Sequence, residues 1–175
     1  MAKPRKMLGD VTGPSAVAMM ALIETQSQAT LGQWAVTFAQ REIAPIYNAR
    51  CQESTAISAA LAAARQYLEG TVSLKEIKAV VKETNQLAKT YEKDVAAQAA
   101  VRAAATACSA VYLPTAALGY VFYAIAAMVY DRGGIQEQPD VYDRLAEEAF
   151  ADILASLQAA AVAEEPQPVK VKWHC

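Results

Sequence analysis

Residues 103–130 read AAATACSAVYLPTAALGYVFYAIAAMVY, and no charged side chain occurs from Ala103 to Tyr130. A stretch of this length and composition is long enough to cross a bilayer. Its details point elsewhere. Pro114 and Gly119 interrupt it, Tyr112, Tyr120, Tyr123 and Tyr130 carry phenols, Thr and Ser recur, and alanine is only weakly hydrophobic. A proline inside a helix removes a hydrogen bond and clashes with the preceding turn, so the stretch divides at Pro114. Each half is apolar nearly all round, the pattern of a helix surrounded by other helices. The expectation is two central apolar helices in a soluble bundle, with no membrane partner.

The rest of the chain agrees. It has 175 residues, enough for one ordinary domain, and 39 of them are alanine against 7 glycines and 7 prolines. Alanine is the best helix former and a poor strand residue. This composition excludes an all-β sandwich, a collagen-like chain and a wholly disordered chain. The formal net charge of −2 lacks the distinct basic excess of a nucleic-acid-binding domain.

Working outward, residues 1–13 read as an extended arm, interrupted by Asp10, Gly13 and Pro14 before any apolar run, and not as a signal peptide. Pro14 suits the first position of a helix that runs to about Gln28. Thr30 and Gln33 have capping-box spacing ahead of the stripe Leu31, Trp34, Ala35 and Phe38, and Pro45 is expected to bend or end that helix. The segment from Asn48 to Glu53 reads as a connection. Ser54 is placed to cap a third helix, carrying Ile57, Leu61, Ala64 and Leu68, and Gly70 to stop it. Ser73 and Glu76 form the clearest capping box, ahead of a fourth helix through Ile77 and Leu87 to Tyr91. The fifth helix runs from about Asp94 to Leu113 and the sixth from Pro114 to Asp131, before Gly133 and Gly134. Asp140 is placed to cap a last helix that turns Val141, Leu145, Phe150, Ile153, Leu154 and Leu157 inward. The sum is an all-α, single-domain bundle of about seven helices. The helical domain covers residues 14–163, and residues 164–175 form a flexible polar tail after Pro166 and Pro168.

Chemistry is harder to find. Cys51, Cys108 and Cys175 are too far apart for zinc or thioredoxin-type spacing, and their odd number suits the reducing cytoplasm. His174 is the only histidine, so the body of the chain holds no Ser-His-Asp or Cys-His arrangement, no HExxH helix and no ExxH pair. Walker and GxGxxG loops are missing too. His174 and Cys175 offer two ligands in an exposed tail, a poor metal site. The reading is no catalytic residue, no cofactor and no metal.

Charge patterns are more informative. Lys75, Lys78, Lys82, Lys89 and Lys93 line one helical face, balanced by Glu76, Glu83 and Glu92 and lacking neighbouring aromatic or glycine-rich elements, so they read as a solvated side. The last helix is acidic: Asp140, Asp143 and Glu147 share a face at i, i+3 and i+7. The first two complement the helix dipole, and a sustained acidic surface can also steer a basic protein partner. Trp34 reads as a core residue, and Arg41 and Glu42 near it as walls of a cleft. The candidate partner-binding residues are therefore Asp140, Asp143, Glu147, Arg41 and Glu42.

Several strings together resemble one family. They are RKMLGD from Arg5 to Asp10, LIETQS from Leu22 to Ser27, WAVTFAQREIAPIY from Trp34 to Tyr47, AALAAARQYLEG from Ala59 to Gly70, and the alanine-rich block from Ala96 to Tyr130. In order and spacing they resemble the putative immunity protein family of bacterial polymorphic-toxin systems. The resemblance spans roughly residues 5–131. It implies a small helical cytoplasmic protein that binds a cognate protein toxin and neutralises it by covering its surface, without catalysis. The chain departs from the family pattern between Asn48 and Glu53, where members carry an acidic, Arg-Pro-containing stretch, and at Tyr112 and Ala116, where members carry histidines; no site residue is carried over. A second reading is a helical protein that binds an apolar small molecule among the second, fifth and sixth helices. It requires a closed cavity near Trp34, Tyr112 and Tyr120.

Overall fold

In the computed structural model, which describes residues 3–174, the fold is built round an antiparallel pair, α6 (Val95–Ser109) and α7 (Pro114–Gly133). These are the two apolar helices expected at the centre. Ten residues of α6 are buried, eight of them alanine, and thirteen of α7. Small side chains let the two axes approach closely, and this is the most extensive helix contact in the protein. On the α6 side pack α2 (Gln28–Phe38), α3 (Ala44–Arg50), α4 (Ala56–Leu68) and α5 (Leu74–Leu87); on the α7 side pack α1 (Pro14–Ile23) and α8 (Pro139–Ala160). The result is a single all-helical domain with one continuous core. No strand occurs among the described residues, and none of their helices is long and apolar enough to cross a membrane.

Several local devices differ from the expected ones. The cap of α2 is Ser27, which accepts from the Thr30 backbone N–H at 3.2 Å, while the Gln33 amide donates instead to Thr37 Oγ1. Accordingly α1 stops at Ile23, and Glu24–Gln26 turn the corner. Pro45 does not end its helix. A π-helical turn (Ala39–Ile43) precedes it, with the Ala44 N–H bonded to Ala39 O, and helix continues to Arg50. The wider turn absorbs the register that a proline without an N–H would otherwise break, so α2 and α3 form one continuous run. Counted that way there are seven helical rods among the described residues.

Ser73 and Glu76 do form the full capping box of α5, and Asp94 caps α6 through Ala97 N–H at 3.0 Å. The first residue flanking α4 is Thr55 without a side-chain cap; Ser54 Oγ accepts from Ala56 N–H at a long 3.4 Å and from the Tyr47 hydroxyl at 2.7 Å. Nor does Asp140 cap α8. Gln138 holds that position, Pro139 enters the first turn, and Asp140 lies inside it beside the helix dipole. Gly70 and Gly134 adopt positive φ of 82° and 67°, as stops after α4 and α7 require.

Both ends of the described chain lie on this body. Leu8 is 2 % exposed, its N–H bonds Phe122 O at 3.3 Å, and Tyr130 OH donates to Arg5 O at 2.9 Å. At the other end, Val162 N–H donates to Gln26 Oε1, Val169 N–H to Gln26 O, and Trp173 Nε1 to Glu24 Oε1, so residues 162–173 follow the α1–α2 corner. His174 is exposed, and Cys175 lies outside the described residues.

Candidate partner-binding surface

Helix α8 carries one buried stripe, Ala146, Ala149, Phe150, Ile153 and Leu157, at the spacing that faces a core. The rest of its circumference presents Asp140, Asp143, Glu147, Glu148 and Asp152 to solvent. Asp143 accepts from Arg5 Nη2 at 3.2 Å, Glu147 from Ser15 Oγ at 3.4 Å, and Glu148 from Arg144 Nη1 at 3.1 Å. Asp140 and Asp152 enter no ion pair among the described residues. The Arg5–Asp143 pair is 58 % and 70 % exposed on its two sides, so it adds little to stability, while Arg5 and Arg144 offset part of the charge of the acidic face.

Arg41 and Glu42 lie elsewhere. They belong to the π turn after α2, where Arg41 Nε donates to Glu42 Oε1 at 2.8 Å and the guanidinium sits 5.3 Å from the Phe38 ring centre. Arg41 lines an open cleft of about 640 Å³ between α2 and the C-terminal end of α8. Its floor is Trp34, 4 % exposed, whose indole N–H donates to Ser156 Oγ at 2.8 Å; Ser156 in turn donates to Ile153 O. Phe38, Leu68 and Ala159 form apolar walls, and Thr30, Gln33 and Thr37 supply polar groups. Thirteen residues of helical rise separate Asp143 from Ser156, roughly 20 Å. The structure thus groups Asp140, Asp143 and Glu147 at one end of α8 and places Arg41 and Glu42 beside the other. Sequence reasoning missed Leu68, Ser156 and Ala159 as cleft residues. The available signal was slight, a run of small residues closing the last helix.

The space described at Trp34 is an open cleft and not a closed cavity shared with Tyr112 and Tyr120. Trp34 borders the open cleft, and the other two do not line it. Tyr120 is fully buried, with the rings of Trp34 and Phe38 edge-on at 5.7 and 6.4 Å. Burial pushes its phenol well above the usual range, the nearby Glu42 adds to that and Arg41 opposes it. Tyr112 stands edge-on to Tyr67 with the Lys78 ammonium 5.7 Å from its ring.

The remaining titratable groups of note are structural. Tyr47 and Tyr91 share a hydrogen bond at 2.8 Å, which together with burial raises Tyr91. Cys108 is buried beside Ala60 O, and burial pushes its thiol up to about 12. Such a thiol is inert at neutral pH. Among the described residues, no three His, Cys, Asp or Glu side chains gather as a metal site.

A model of the Imm-5 like putative immunity protein family matches residues 21–156. The chain belongs to this family. The match takes in α2 to α7 whole and α8 as far as Ser156, so both the acidic face and most of the Trp34 cleft fall within the Imm-5 like region. The N-terminal arm and the segment after α8 fall outside it. No curated protein and no solved structure matches the chain.

Proposed function

We propose that this Imm-5 like protein binds a cognate toxin in the bacterial cytoplasm and neutralises it by covering its surface, without catalysis. Membership of the family over residues 21–156 carries the reading. Two surface features support it. The acidic end of α8, with Asp140, Asp143 and Glu147 exposed, attracts a basic surface during encounter, the kind that a nucleic-acid-cutting toxin would present. The Trp34 cleft offers an apolar depression with a polar rim, suited to an anchoring side chain from the partner. A rigid helical body presents both with little ordering cost.

The test is capture of partners from the native cell with the tagged full chain at low and at moderate salt. The expected outcome is a stoichiometric protein encoded beside this one, lethal when expressed alone and harmless when expressed with this chain. A bait that returns alone at both salts overturns the proposal, as does a partner whose toxicity is unchanged by co-expression.

A further inference from the structure

On the far side of the arm from the acidic face lies a second cleft, of about 270 Å³, between residues 3–6 and helix α6. Lys3, Arg5, Lys6 and Arg102 line it against a single carboxylate, Glu92. In a chain of net charge −2 this is a concentrated positive site. Arg102 is the only charged residue of α6, and Gln98, one turn before it, opens into the same cleft. Among the described residues no carboxylate comes within 4.0 Å of Lys3, Lys6 or Arg102, and Arg5 pairs only with Asp143.

Like charges held round a small cleft repel one another, and a free arm would swing away. This arm is fastened. Tyr130 OH grips Arg5 O, Leu8 is buried in the core, and the Leu8 N–H bonds Phe122 O. The fold therefore holds the partly buried Arg102 beside the exposed Lys3, Arg5 and Lys6, and of these four cations only Arg5 has a carboxylate partner within 4.0 Å among the described residues, Asp143.

We infer that this cleft binds a compact phosphate-bearing anion. Arginine presents its donors in a planar fork that matches phosphate oxygens, and lysine adds point charge. The volume admits a diphosphate or a small phosphate monoester. An adjoining cleft that shares Lys3, Arg5 and Tyr130 has Ile135, Pro139 and Tyr142 as apolar walls and Glu137 and Asp143 on its lining, so the organic part of a monoester that enters it is an uncharged one. The inference does not rest on the proposed toxin binding, and Arg5 is the one residue that links this cleft to the acidic face.

The test is calorimetric titration of the full chain with pyrophosphate and with phenyl phosphate, with chloride at matched ionic strength as the control. Flotation with phosphatidylglycerol vesicles, against phosphatidylcholine vesicles, separates a lipid headgroup from a soluble ligand. Saturable binding of one equivalent of a soluble phosphate is expected, weakened roughly tenfold or more in Arg102→Gln and in Lys6→Gln and unchanged in Lys82→Gln on α5. Using both variants keeps the test decisive if one folds poorly. Heat no greater than with chloride, or equal affinity in Arg102→Gln and Lys6→Gln, overturns the inference. Binding to phosphatidylglycerol vesicles without binding of either soluble phosphate overturns it in favour of a membrane surface.

Discussion

A Cβ built on Gly32 would stand 2.8 Å from Val111 Cα, closer than two unbonded carbons can approach. Gly32 faces the turn between α6 and α7, so its missing side chain sets how near α2 lies to the central pair. The obstacle is backbone, which cannot rotate away. Gly32→Ala should cost about 1–3 kcal/mol in overpacking, more than the roughly 1 kcal/mol that alanine gains over glycine in a helix. Gly119 in α7 is the control, because a Cβ there would meet only Thr106 Cγ2 at an ordinary 3.7 Å. Thermal melts of the two variants should move in opposite directions, Gly32→Ala down and Gly119→Ala up. A Gly32→Ala melt at or above wild type would show that α2 can shift freely.

Tyr120 and Tyr47 are both fully buried, yet their hydroxyls have opposite situations. The Tyr120 hydroxyl has no hydrogen-bond partner among the described residues. The Tyr47 hydroxyl donates to Ser54 Oγ at 2.7 Å, which leaves Tyr91 OH to donate to it at 2.8 Å. Removing an unsatisfied group relieves a desolvation penalty, whereas removing the centre of a network orphans its neighbours. Tyr120→Phe should leave stability unchanged or raise it by about 1 kcal/mol, and Tyr47→Phe should lower it by about 1–2 kcal/mol. Denaturant titrations of both variants check this, and a marked loss in Tyr120→Phe would reveal a partner for that hydroxyl, such as a bound water.

How far these relationships could be read beforehand depends on their range in the chain. The central helices were legible because Pro114 and an uncharged run leave little choice, and the Ser73–Glu76 box because both partners lie within one turn. Helix ends were less so. Ser27, Thr30 and Asp140 are all chemically suitable caps, and only the positions of α1 and of the 133–139 loop decide between them. That loop is tied by Tyr142, whose hydroxyl donates to Gly134 O and accepts from the Glu137 N–H. The π turn before Pro45 has no local signature. The Trp34 cleft needs α2, α4 and α8 together, and the basic cleft needs the arm folded back across α6, contacts set by packing between segments far apart in the chain.

Acid should weaken the fold through two carboxylates held by local hydrogen bonds. Glu76 is lowered from its ordinary value first by the Ser73 backbone N–H at 2.7 Å and then by the Ser73 hydroxyl. Asp10 is lowered first by the Thr12 hydroxyl at 2.7 Å and then by the Thr12 N–H. A carboxylate with a depressed folded pKa favours the folded state above its unfolded value, and that contribution is lost as pH falls through the folded one. Melting temperature should therefore fall as pH drops below the ordinary carboxylate range, 4.5 for Glu76 and 3.8 for Asp10. In the double variant Ser73→Ala, Thr12→Val the deficit relative to wild type should be larger near about pH 6 than near about pH 3. An equal deficit at both pH values would mean that the two hydroxyls act only as caps and turn formers.

The two ends of α8 should act on different steps of toxin binding. Asp143 and Glu147 lie exposed at the acidic end, where charge works at a distance and chiefly sets the rate of encounter. Reversing both, Asp143→Lys with Glu147→Lys, should slow association on the order of tenfold at low salt and flatten its salt dependence, leaving dissociation nearly unchanged. The variant also frees Arg5 from its ion pair, but that exposed contact contributes little to stability, so the melt should stay within a few degrees of wild type. At the other end, Ala159→Arg would obstruct the cleft floored by Trp34, where contact is made only after docking. That variant should speed dissociation and leave the salt slope alone. Surface plasmon resonance with the captured toxin at several salt concentrations separates the two effects. If the acidic reversal changes neither association rate nor salt slope, the acidic face is not the steering surface. If Ala159→Arg leaves dissociation unchanged, the cleft lies outside the contact.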